Sequence, residues 1–75
     1  MGMNEKVSAA VRAVAAIAEA IRELGQVPAG HLYAKLMGSM SLDQFEKIIS
    51  ILVKAGLVKR DASHLLHWVG PAVNA

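Results

Sequence analysis

From Asn4 to Leu24 the apolar positions recur with the period of a helix. At roughly 100° per residue, Val7, Ala10, Val11, Val14, Ile17, Ala18, Ile21 and Leu24 fall on one broad face, while Arg12, Glu19, Arg22 and Glu23 fall opposite. The pattern predicts a long amphipathic helix over residues 4–24, with Asn4 as N-cap, Glu5 in the first turn and Gly25 as the stop. Ala9, Ala13, Ala16 and Ala20 line up between the two faces. Such a stripe of methyl groups allows another helix to approach closely, and it also suits a half-exposed flank filled with good helix formers.

Residues 25–30 interrupt this pattern. Pro28 stands where a second helix can begin, because the first helical position needs no N–H, and the spacing of Leu32 and Leu36 predicts a short helix over residues 28–37. Gly38 terminates it, Tyr33 and Met37 lie beside the two leucines, and Met37 and Met40 read as fillers around the turn. Ser41-Leu42-Asp43-Gln44 is a capping-box sequence and opens a third helix, residues 42–55, with Gly56 just beyond it. The apolar face of this helix is Leu42, Phe45, Ile48, Ile49, Leu52 and Val53. After Gly56 the period shortens. Leu57-Val58-Lys59-Arg60 and His64-Leu65-Leu66-His67-Trp68-Val69 are strand-like runs joined by Asp61-Ala62-Ser63, so residues 57–69 read as a hairpin and residues 70–75 as a tail.

The order helix, short helix, four-residue turn, helix, hairpin resembles a winged helix-turn-helix domain of the kind found in small bacterial regulators. The resemblance covers about Val27 to Val69. Its most telling stretch is Ile48-Ile49-Ser50-Ile51-Leu52-Val53-Lys54-Ala55-Gly56-Leu57-Val58-Lys59-Arg60, which is similar to a recognition helix running into the first strand of a wing. The resemblance implies a single α+β domain: three helices, the first one long, followed by a two-stranded hairpin wing. It also implies a DNA-binding transcriptional regulator with the third helix at the major groove. Small size, apolar composition and the alanine stripe add a homodimer, and the lack of cysteine makes the cytoplasm the expected compartment.

On that reading Gln44, Lys47 and Ser50 meet the groove, and Lys35, Lys54, Lys59, Arg60 and His64 lie near phosphates. Ala9, Ala13, Ala16, Ala20 and Trp68 form the dimer contact. Duplex DNA and a second copy of the chain are then the partners. Charge bears on this expectation. The outward face of the third helix projects Asp43, Gln44, Glu46, Lys47, Ser50 and Lys54, with Ile51 at its margin; it has no arginine, and Asp43 stands four residues before Lys47. Affinity for DNA comes largely from neutralising phosphates. A face whose acids match its lysines therefore also suits a second class of function, a winged-helix protein-interaction module that binds no DNA.

Composition narrows the remaining classes. The chain has 75 residues, 8 Lys or Arg against 6 Asp or Glu, no cysteine and 55% hydrophobic residues, enough for one small core. The absence of cysteine removes disulfides and thiolate zinc sites. No uninterrupted apolar run approaches the roughly 18 residues of a membrane span, and residues 1–6 match neither a secretory leader nor a myristoylation signal. His31, His64 and His67 have no metal-ligand spacing, and on a regular strand His64 and His67 would face opposite ways. The serines lack a nucleophile context, the glycines do not make a phosphate loop, and three scattered aromatics make no base-stacking platform. Phe45 reads as core, and Trp68 as core or interface. Neither an enzyme nor a cofactor is expected.

Overall fold

The computed structural model describes residues 2–71, with side chains from residue 9 onward. Its elements are α1 (Gly2–Leu24), β1 (Gln26–Pro28), α2 (Ala29–Leu36), α3 (Leu42–Lys54), β2 (Val58–Arg60) and β3 (Leu65–Trp68). The fold is α+β, with three helices and one antiparallel sheet in the order β1-β3-β2. No helix among the described residues is long and apolar enough to cross a membrane. Of the expected tail at residues 70–75, residues 72–75 lie outside the described residues.

The sheet has three strands where the sequence pattern predicted two. Val27 pairs with Leu66, Gln26 with His67 and Pro28 with Leu65, so the segment expected only to break the helices forms an edge strand. Pro28 is tolerated because an edge strand need not donate on both sides. It then serves as the N-cap residue of α2, which begins one residue later than predicted. The amide of Ala29 donates to the His64 carbonyl at 2.9 Å, tying the start of α2 to the hairpin turn.

Helix α3 follows its sequence signals. Ser41 Oγ accepts from the Gln44 amide at 3.2 Å, and Gln44 Oε1 accepts from the Ser41 amide at 3.0 Å, so the predicted capping box is closed. At the other end Gly56 adopts φ +79, its amide bonding the Val53 carbonyl and the Leu57 amide bonding the Leu52 carbonyl. This Schellman arrangement needs a left-handed residue, which is the reason for glycine there.

The core is built from one side of each element: Ile17 and Ile21 of α1, Val27 of β1, Ala29 and Leu32 of α2, Phe45, Ile49 and Leu52 of α3, Val58 of β2 and Leu66 of β3. Tyr33 packs on Phe45 with ring centroids 5.2 Å apart and donates its hydroxyl to the Met40 carbonyl. Several predicted core positions are instead exposed. Val11 and Leu24 are 60% and 57% exposed, Leu42 and Val53 54% and 41%, and Met37 is also exposed. The apolar period marks which face of each helix is nonpolar, and among the described residues the parts of α1 and α3 that other elements cover are those carrying Ile17, Ile21, Phe45, Ile49 and Leu52. Helix α1 also starts at Gly2, which places Asn4 inside the helix and not at its cap.

Candidate nucleic-acid interface

The outward surface of α3 is a shallow depression of about 410 Å³ lined by Asp43, Glu46, Lys47, Ser50, Ile51 and Lys54. Three of the expected groove and phosphate residues, Lys47, Ser50 and Lys54, are therefore together. Gln44 stands to one side. Its carboxamide oxygen is taken by the cap, and it borders a second groove with Ala9, Ala10, Ala13, Ser39, Met40, Lys47 and Ile48. Lys35 is exposed in the last turn of α2 and lines none of these depressions.

Two ion pairs set the charge of this surface. Lys47 Nζ lies 3.6 Å from Asp43 Oδ2 one turn earlier, with both side chains exposed. Arg60 reaches across from β2 and holds Glu46 with both terminal nitrogens, Nη1 to Oε1 at 2.6 Å and Nη2 to Oε2 at 3.2 Å. The hydrogen bond from Arg60 holds the Glu46 carboxyl below the usual glutamate range; partial burial opposes this, and the charges of Arg60 and His64 add to it. Arg60 is correspondingly raised above the ordinary arginine value by the same bond.

Lys59 and Arg60 do not act from one side of the hairpin. Successive residues of a strand face opposite ways, and β2 accordingly has Val58 buried, Lys59 exposed and Arg60 turned toward α3. Lys59 instead shares a row with its cross-strand partner His67, which in turn pairs with Gln26 of β1.

The turn of the hairpin is built around Asp61. Its Oδ1 accepts from the amides of Ser63 and Leu65 at 2.8 and 3.0 Å, and its Oδ2 lies 3.0 Å from His67 Nε2. The hydrogen bond with His67 is the main reason the Asp61 carboxyl sits below the usual aspartate range, with the Leu65 and Ser63 amides adding to it against slight desolvation. The loop is one residue longer than the expected connection, because His64 belongs to it with φ 63. Within this four-residue connection the Asp61 amide donates to the Leu65 carbonyl at 3.1 Å, so the turn proper is residues 62–64, and a three-residue turn of this kind ends on a left-handed residue. His64 is therefore a turn residue at the hairpin tip, and the strand alternation expected to separate it from His67 does not apply.

The expected contact stripe also divides. Ala9 and Ala16 are exposed and Ala13 is half-buried, whereas Ala20 packs against the core. Trp68 is half-buried on the core and its indole Nε1 donates to the Pro71 carbonyl at 2.9 Å. Gly70 packs beside it, and a Cβ there would lie 2.7 Å from the Leu57 side chain and 3.0 Å from the indole, so a larger residue would require the Leu57 side chain to shift.

Sequence reasoning missed Glu46 and Asp61 as organising residues. Asp61 carried a signal, an aspartate at the first position of a turn. Glu46 carried none, because its partner lies 14 residues away on another element. Among the described residues, no three His, Asp or Glu side chains converge as metal ligands. The chain matches no protein-family model, no curated protein and no solved structure.

Proposed function

We propose that this chain is a winged-helix DNA-binding protein, a transcriptional regulator that works as a homodimer in the cytoplasm and sets α3 in the major groove. The observation that carries the reading is the gathering of Lys47, Ser50 and Lys54 on one exposed face of α3, next to a hairpin. The order of elements and the sheet order β1-β3-β2 support it. Lys54 of α3 and Lys59 of the hairpin supply phosphate contacts, and Arg60 does so only when Glu46 releases it. The dimer contact falls to residues 9–16 of α1, where Ala9, Ala10, Val11 and Ala16 are exposed on a helix of 23 residues, about 34 Å long.

A second reading has its own support. Asp43 with Lys47 and Glu46 with Arg60 cancel charge on the α3 surface, while Leu42, Ile51 and Val53 are exposed on the same helix. Such a surface suits a protein partner better than a duplex. Amide chemical-shift mapping with a generic duplex at low salt separates the two. The DNA reading expects shifts over residues 43–54 and 58–65 with residues 17–24 unmoved. No shift anywhere, with a protein partner recovered from the host, favours the interaction module.

A further inference from the structure

Arg60 is the only arginine on the hairpin, and it carries an unresolved demand. Both terminal nitrogens are held by Glu46, yet its Nε is a buried donor with no hydrogen-bond partner. A buried donor left unpaired disfavours the posture that buries it. The pair is also within reach of solutes, since the Arg60 and Glu46 side chains are 28% and 42% exposed. Glu46 itself lines the α3 depression beside Asp43, Lys47, Ser50 and Lys54, the surface assigned above to the duplex. A guanidinium binds carboxylate and phosphate through the same planar fork, so the two compete for Arg60.

We propose that Glu46 is a gate on Arg60: in the free protein its carboxylate occupies the guanidinium that a phosphate group would take, and a polyanion must displace it. The inference rests on the DNA reading for its natural ligand, a phosphodiester backbone. Its chemistry is wider, since any phosphate group that can engage a guanidinium fork is a competitor. Displacement has a second consequence. The freed carboxylate would remain on α3 beside Asp43, near His64, and would repel the incoming phosphates unless it paired with His64 or accepted a hydrogen bond from a base. The gate therefore lowers affinity for every duplex and does so least where a base can donate to Glu46.

Glu46→Gln keeps the shape of the side chain and removes its charge. For a generic duplex in about 50 mM salt, this variant is expected to bind about tenfold tighter than the parent, with a salt slope steeper by about 0.9, the signature of one added phosphate contact. Adding Arg60→Ala to Glu46→Gln should abolish the gain. Equal or weaker binding by Glu46→Gln, with the variant folded by circular dichroism at the temperature of the titration, overturns the gate.

If neither protein binds the duplex, the DNA reading has failed and the gate is decided separately with inorganic pyrophosphate. The Arg60 Nε–H resonance should then respond at pyrophosphate concentrations about tenfold lower in Glu46→Gln than in the parent. Equal responses overturn the gate.

Discussion

Asp61 and His67 meet across the hairpin at 3.0 Å, and the other oxygen of the same carboxylate holds the amides of Ser63 and Leu65. One side chain thus closes the turn and joins it to β3. Asp61→Asn keeps an acceptor but loses the charge. Faster amide exchange at Ser63 and Leu65 is expected in that variant, with exchange at Leu66 in the core much less affected.

Acid should act on the same contacts. The Asp61 and Glu46 carboxyls sit below their usual ranges because of His67 and Arg60 respectively. A depressed folded-state value means that the unfolded chain binds the proton more tightly. The stabilisation is therefore complete above about pH 5, beyond the ordinary values near 3.9 and 4.3, and is lost as pH falls through the lower folded values. Denaturant midpoints followed by the fluorescence of Trp68, the only tryptophan, should drop between about pH 5 and pH 3. They should drop less in Asp61→Asn combined with Glu46→Gln, and an equal drop would remove both pairs from the account.

The α3 cap has a measurable worth. Ser41→Ala removes the acceptor of the Gln44 amide and should cost about 1 kcal/mol, lowering Tm by about 4–8 °C for a domain of this size. Core truncation is harsher. Leu66→Ala deletes a fully buried side chain on the central strand, and a loss of about 2–5 kcal/mol is expected from a total stability of the same order. Thermal melts followed by circular dichroism should show the first variant folded and the second largely unfolded at 37 °C.

Backbone conformation gives a pair of opposite effects. Gly56 and His64 both have positive φ, 79 and 63. Gly56→Ala should destabilise by roughly 1–2 kcal/mol, the cost of a left-handed side-chain-bearing residue. His64→Gly relieves that cost and loses about 0.5–1 kcal/mol to chain entropy, so a gain of up to about 1.5 kcal/mol is expected. Melting temperatures moving in the same direction would contradict the assigned turn geometry.

Much of this architecture was legible before the structure. The capping box at Ser41 and Gln44, the stop at Gly56, the hairpin after it and Phe45 in the core are local signals, each set by residues within one or two turns. Strand β1 was not legible, because three residues ending in proline show no alternation and their pairing with Leu65, Leu66 and His67 spans about half of the chain. The exposure of Val11, Leu42 and Val53 was hidden for a related reason: periodicity shows which face of a helix is apolar and not how far its neighbours extend. The site was half legible. Lys47, Ser50 and Lys54 share a surface as their spacing implies, but the commitment of Arg60 to Glu46, and its separation from Lys59 onto the other face of β2, depend on how β2 lies against α3.

The proposed DNA function is tested most directly by fluorescence anisotropy of a labelled generic duplex against the protein at about 50 and 200 mM salt. Micromolar binding is expected at the lower salt, weakening steeply at the higher, with the slope reduced by about 2 when Lys54 and Lys59 are both replaced by alanine. No binding at about 50 mM salt, or binding indifferent to salt and to those replacements, would contradict it.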